Sequence, residues 1–233
     1  MSIKENLQII RQRVISAAQS AGRDPSTVKI IGAVKNQPTE KVLEAVEAGL
    51  TDLGENKIQE AQVRHKEIKS RYPNVTWHMI GHLQRNKVRQ CLDIFDIIHS
   101  LDSERLAREI ESRAQSTERR REIAVLIEVN TSAEESKYGI PVDSTIDFLQ
   151  KLSGFRNLKV QGLMTIGLLS DDPEKVRRCF IKLRKLSEKI KNLNLPNIEM
   201  KYLSMGMTDD FEIAIREGSN MVRIGRALFG ERS

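Results

Sequence analysis

The chain has 233 residues, 39% hydrophobic and 30% charged, enough for one sizeable core. No apolar run approaches the ~20 residues that span a bilayer, and Met1-Ser-Ile-Lys-Glu5 has no apolar signal region, so neither a membrane-spanning helix nor a secretory signal is expected. The net charge of +6 raises nucleic acid as a partner, but 38 basic residues are dispersed among 32 acidic ones and aromatics are only 4%; an anionic small molecule fits that charge better.

In chain order, Ser2-x-x-Glu5 forms a capping box, followed by Leu7, Ile10, Val14 and Ala17/Ala18 at helical spacing. A helix therefore opens the chain, and Pro25 closes it. Strand-like apolar segments then stand at 28–34, 51–54, 75–80, 96–100, 123–129, 159–166, 200–204 and 220–224. Helical patterns separate them at 39–48, 57–70, 83–92, 103–115, 142–152, 172–192 and 209–217, and a short piece at 226–230 finishes the chain. The strands are nearly continuous in apolar residues, as strands covered on both faces are. Eight alternating units predict an α/β fold of one domain over 1–233, a (β/α)8 TIM barrel with an extra N-terminal helix. No glycine-rich dinucleotide turn follows the first strand, which weighs against a Rossmann sheet. Glu118-Arg-Arg-Arg-Glu122 reads as a solvated turn between a helix and a strand. Cys91 and Cys179, far apart in helix-like contexts, predict an unbridged pair in a reducing cytoplasm.

The carboxyl ends of barrel strands make the functional face. Here they carry Lys35, Gly54-Glu-Asn56, His78-Met-Ile-Gly-His82, Ser100-Leu-Asp102, Glu128-Val-Asn130, Met164-Thr165, Ser204-Met-Gly-Met207 and Arg223-Ile-Gly225. At the mouth of a buried strand Lys35 loses hydration, its pKa tends to fall, and a neutral amine can attack an aldehyde. It reads either as a Schiff-base lysine or as one snorkelling to solvent. Ser204, Gly206 and Gly225, with the turn Arg226-Ala-Leu-Phe229, suit a phosphate after the last two strands, although the glycines also suit plain turns. Arg223 set against a pyridine nitrogen would keep it unprotonated; the other reading is a salt bridge to Glu55 or Asp209. His78 and His82 are four apart, but Gly81 interrupts the helix that would align them and no third ligand is near, so no metal is expected. Trp77 and His78 are expected to pack or hydrogen-bond near the mouth. Asp209 and Asp210 read as an N-cap and first-turn acid, and Lys137 as a loop lysine over the mouth.

Taken together, Ala33-Val-Lys-Asn-Gln-Pro38, Leu53-Gly-Glu-Asn-Lys-Ile-Gln-Glu60, Trp77-His-Met-Ile-Gly-His-Leu-Gln-Arg-Asn-Lys87, Val129-Asn-Thr-Ser with Ser136-Lys-Tyr-Gly139, Gly162-Leu-Met164, Leu203-Ser-Met-Gly-Met-Thr-Asp-Asp210 and Val222-Arg-Ile-Gly-Arg-Ala-Leu-Phe-Gly230 resemble the pyridoxal phosphate homeostasis proteins. That family is related to the N-terminal barrel of alanine racemase. The resemblance implies pyridoxal 5′-phosphate on Lys35 as a Schiff base. It also implies phosphate contacts from Ser204 and the N–H groups around Met207, Gly225 and Arg226, and Arg223 facing the ring nitrogen. Asn56 and Met164 would line the cofactor, with His78 and Ile80 in the wall. It implies a cytoplasmic cofactor carrier without an established reaction, whose partners are the cofactor and pyridoxal-phosphate-dependent apo-enzymes or a regulatory protein. A racemase-like enzyme is the alternative, but the sequence shows no second domain to supply an opposing base, and a monomer is expected. Val34 and Gln37 stand where the family often has serine and a basic residue, and Thr208 where it commonly has serine.

Overall fold

Each apolar segment read from the sequence becomes one strand of a closed parallel barrel. The computed structural model describes residues 1–116 and 122–230; of the basic run read as a turn, residues 118–121 lie outside the described residues. The strands are β1 (Lys29–Ala33), β2 (Asp52–Glu55), β3 (Thr76–Met79), β4 (Ile97–Leu101), β5 (Ile123–Asn130), β7 (Leu158–Met164), β8 (Ile198–Ser204) and β9 (Met221–Ile224). They pair in order, and β9 returns to β1 with Ile31 opposite Arg223, so no barrel edge is left unpaired. The short β6 (Ile140–Pro141) adds to the outer end of β5 at Val129 and Asn130. Two residues carry no periodicity, so the sequence could not announce it.

The helices are α1 (Ile3–Ser20), α2 (Thr39–Glu47), α3 (Ile58–Arg71), α4 (Val88–Ile94), α5 (Glu104–Ser116), α6 (Thr145–Leu152), α7 (Pro173–Lys191), α8 (Phe211–Arg216) and α9 (Arg226–Phe229). The capping box forms as expected: Glu5 N–H donates to Ser2 Oγ at 3.2 Å and Ser2 N–H to Glu5 at 2.8 Å. The extra helix α1 buries Leu7, Ile10, Val14 and Ala17, packing against α2, α8 and α9. Two expected helices start late, because 85–87 and 142–144 form single 3₁₀ turns ahead of α4 and α6. Among the described residues no helix is long and apolar enough to cross a membrane.

The main core lies between sheet and helices and includes Trp77, Phe95, Phe180 and Phe211, each fully buried. Burying a side chain of this size contributes about 1.5–3 kcal/mol. A second, small cluster of Ile31, Leu126, Met164 and Met221, each from a different strand, fills the barrel interior. Beside it the interior turns polar.

Candidate functional site

Strand alternation sends residues 31, 33 and 35 toward the interior and Val34 outward, where it is fully buried in the helix-side core. The replacement of serine by Val34 therefore leaves the mouth side of the turn untouched. Two side chains on successive turns of α3 strap the backbone on either side of Lys35. The Arg64 guanidinium donates to the Val34 carbonyl at 3.0 Å, and Asn36 N–H donates to Glu60 Oε2 at 2.8 Å. Asn36 takes the left-handed conformation, φ 58°, a geometry asparagine tolerates. Lys35 itself is half-buried. Beneath the turn Arg64 pairs with Glu55 at 3.2 Å, both buried. Burial raises the Glu55 carboxyl to about 7, against the pull of Arg64. Glu55 thus belongs to Arg64 and not to Arg223.

A line of polar groups crosses the interior. His78 Nε2 lies 3.0 Å from Asp52 Oδ1, His78 Nδ1 2.9 Å from His99 Nε2, and His99 Nδ1 3.0 Å from Ser204 Oγ. Arg223 donates to Ser204 Oγ at 2.7 Å, to the Ser204 carbonyl at 2.8 Å and to the Thr165 carbonyl at 2.8 Å. All five side chains are buried. Burial would raise Asp52, but hydrogen bonds from His78 and Thr51 and the nearby Lys29 bring it down to about 2. Burial pushes His99 well below the usual histidine value, and Arg223 down to about 10 against the pull of Asp210 and Glu128. Glu128, on the interior side of β5, is raised to about 7 by burial and by Asp102, with Arg223 opposing.

Two expectations are corrected here. Trp77 does not line the mouth: it faces outward, edge-on to His65 of α3 at 5.2 Å, while His78 alone turns inward. Arg223 bonds to Ser204 and Thr165, not to Glu55 or Asp209. His78 and His82 serve different neighbours, since His82 lies 3.3 Å from Asp102 and stacks on Tyr138 at 4.1 Å.

The loops after β8 and β9 meet at the mouth. Gly206 has φ 94°, and a Cβ there would stand 2.6 Å from Ala214 Cβ and 2.9 Å from Phe211 Cα, so only glycine fits. Asp210 precedes α8 without a side-chain cap; its Oδ1 accepts from Met207 N–H at 2.6 Å. Asp209 pairs with Arg226. One group expected to meet an anion, the Met207 N–H, is thus held by a carboxylate of the chain itself, and the Arg226 side chain is held by another. The Ser204 hydroxyl, expected on the phosphate, lies wholly inside the barrel between His99 and Arg223. Thr208 Oγ1 accepts from Ala227 N–H at 3.4 Å, keeping the hydroxyl that serine would supply. At Gly225 a Cβ would meet only Ala33, at 3.6 Å, leaving the approach open. Asn56 and Ile80 are half-buried on interior-facing positions, with Ile80 over Gly54, and Met164 sits in the interior cluster. Lys137 donates to the Gly167 carbonyl at 3.0 Å and pairs with Glu134.

Sequence reasoning missed Asp52, His99, Glu60 and Arg64, and assigned Glu128 no role. His99 carried a signal, a lone imidazole at an interior position of Ile97-Ile-His-Ser-Leu101. The helix-borne straps carried none, because their partners are more than 20 residues away.

A family described as "Alanine racemase, N-terminal domain" matches residues 2–233. The "Pyridoxal phosphate homeostasis protein" of Aquifex aeolicus is 40% identical, covering 100% of this chain and 99% of the relative. Its namesake in Homo sapiens is 35% identical over 97% of this chain and 85% of the relative. PipY of Synechococcus elongatus PCC7942, solved with PLP bound, superposes with a TM-score of 0.84 at 30% identity, covering 98% of this chain and 100% of PipY. Alanine racemase from Corynebacterium glutamicum shares the fold at TM-score 0.69 and 16% identity, over 97% of this chain and 62% of the racemase. The chain belongs to the pyridoxal phosphate homeostasis protein family, within the alanine racemase N-terminal domain family.

Proposed function

We propose that this protein holds pyridoxal 5′-phosphate at the barrel mouth, covalently on Lys35, and supplies it to other proteins without a catalytic cycle of its own. The names of its relatives and the PLP-bound PipY support the cofactor. The residues fit it. Lys35 offers an amine on a strapped turn, Arg223 a buried cation, and the corner formed by Met207, Gly225 and Arg226 already accommodates carboxylates. When bound, the cofactor supplies an aldehyde for the lysine and an electron-withdrawing pyridine ring.

The observation that carries the non-catalytic reading is Arg223. Three acceptors fix its guanidinium, and it stays protonated at every working pH, even at about 10. A fixed cation at the ring-nitrogen end opposes protonation of that nitrogen and so weakens the ring as an electron sink. Arg64 and Glu60 hold the lysine turn in place, while Asn56, Ile80 and Met164 exclude water beside and below it. Ser204, with His78 behind it, serves Arg223. The phosphate would fall to Met207, Gly225 and Arg226, with Asp210 and Asp209 giving way. Delivery to apo-enzymes or a regulatory protein, as a cytoplasmic monomer, belongs to the same proposal.

Borohydride reduction of the loaded protein followed by peptide mapping tests the reading. A phosphopyridoxyl group on Lys35, lost together with the visible band in Lys35→Ala, is expected. Label elsewhere, or none, would overturn it. One observation favours the second reading, a racemase-like enzyme: Glu128, raised to about 7, can hold or release a proton at neutral pH. Amino-acid racemisation by the wild type that Glu128→Gln abolishes would establish it.

A further inference from the structure

Hydrogen-bond bookkeeping gives the interior polar line a direction. Ionised Asp52 can only accept, so His78 Nε2 carries a hydrogen and donates. With a neutral imidazole, His78 Nδ1 then accepts, and His99 Nε2 must donate to it. A neutral His99 accepts at Nδ1, which takes the Ser204 hydroxyl hydrogen. The Ser204 oxygen is left to accept from Arg223, which can only donate. Every donor points from Arg223 toward Asp52, and every hydrogen on the line has an acceptor. Run the other way, the line needs a second buried cation at His78. Ser204 would then accept from both neighbours and strand its own hydrogen in the barrel interior, a cost of about 1–3 kcal/mol.

We propose that Asp52, His78 and His99 are positioning residues for Arg223: a one-way chain anchored on the Asp52 carboxylate orients the Ser204 hydroxyl as the acceptor that fixes the guanidinium at the ring-nitrogen end of the cofactor site. The anchor lies at the opposite end of the barrel. Asp52 opens β2, pairs at 3.2 Å with Lys29, whose side chain is 42% exposed, and borders a groove of ≈ 450 Å³ beneath α1, lined also by Val14 and Thr51. Among the described residues, Ser204 Oγ is the one side-chain acceptor hydrogen-bonded to Arg223; its other two acceptors are the Ser204 and Thr165 carbonyls. His99 hydrogen-bonds His78 on one side and Ser204 on the other, and through Ser204 it reaches Arg223.

The inference rests on the proposed cofactor site only in its second test. First, ¹⁵N NMR of the unloaded protein reads the tautomers directly. Two neutral rings are expected, both protonated at Nε2 and accepting at Nδ1, at about pH 7. A cationic His78, or an Nδ1–H tautomer on His99, overturns the chain whether or not the cofactor binds. Second, His99→Leu is expected to weaken retention of pyridoxal phosphate about tenfold and to shift the visible band of the loaded protein. His99→Gln, whose amide keeps one acceptor and one donor, is expected to restore both. Asp52→Asn keeps an acceptor but not the charge, and is expected to shift the band with a smaller change in retention. If the band stays put in His99→Leu and Asp52→Asn while wild type labels on Lys35, the positioning role is refuted and the cofactor site stands. If wild type takes no label, the site reading fails and the tautomers alone judge the chain.

Discussion

Arg64→Met removes the charge from the strap beneath Lys35 while keeping most of the side-chain volume. Arg64 does two things: it donates to the Val34 carbonyl at 3.0 Å and neutralises Glu55 at 3.2 Å in a site closed to water. At that separation and an effective dielectric of about 20, the gross attraction is about 5 kcal/mol, much of it offset by desolvation. Glu55 decides how much of this is visible. Its pKa is raised from 4.5 to about 7, so its effect on stability is most favourable below 4.5 and is lost as pH climbs through 7. Without Arg64 that pKa rises further, and the loss continues into the alkaline range. The variant should therefore lose about 1 kcal/mol at about pH 5.5, the worth of the Val34 hydrogen bond, and about 3 kcal/mol at about pH 8.5. Urea unfolding at the two pH values, with unchanged slope, measures the gap. Glu55→Gln in the same background should return most of the alkaline loss. The slackened turn should also lower borohydride labelling of Lys35. An equal loss at both pH values, or no recovery in the double variant, would show that the ion pair is not what Arg64 contributes.

Glu128→Gln should act with the same sign. Ionising the folded Glu128 costs stability between pH 4.5 and about 7, so from about pH 5 to about pH 8 the variant should gain roughly 2–3 kcal/mol on wild type by urea unfolding; parallel curves would remove the raised pKa. Gly206→Ala must place a Cβ 2.6 Å from Ala214 Cβ at a φ of 94°, and should lower the melting temperature by roughly 5–10 °C in calorimetry. A shift within error would mean that the loop yields. Asp209→Asn breaks a pair whose side chains are 51% and 71% exposed, so stability should hold within roughly 0.5 kcal/mol. Freed from its carboxylate, Arg226 should then bind pyridoxal phosphate roughly two- to fivefold more tightly by fluorescence titration. Weaker binding would place the phosphate elsewhere.

What the sequence made legible were features with local causes. The capping box at Ser2 and Glu5, the apolar runs of eight strands and the glycines at 206 and 225 each announce themselves within a few residues, and the barrel follows from their alternation. Strand alternation separates residues that are neighbours in sequence. Trp77 and His78 are neighbours in sequence, yet adjacent residues of a strand face opposite ways, and only His78 reaches the interior. Val34 looked like a polarity change beside Lys35 for the same reason, although it packs among the helices. Beyond this lay contacts that exist only once the ring closes. His99 and Ser204 are 105 positions apart, and Asp52 and His78 are 26. A hydroxyl after β8 suits a phosphate, and nothing local reveals that His99 and Arg223 both reach Ser204 from the interior.

The interior line also bears on why the fold is unique. Polar groups withdrawn from water destabilise a core unless each finds a partner, so a line of five is tolerated only when complete. A one-residue slip of β3 would bring Trp77 into the barrel and drive His78 among the helices; a slip of β4 would do the same with Ile98 and His99. Either slip leaves Asp52 or Ser204 buried without its partner. The interior that orients Arg223 therefore also selects the strand register, and a substitution chosen to loosen the site risks loosening the barrel. His99→Gln is informative for that reason, since it preserves one donor and one acceptor at the joint between the two roles.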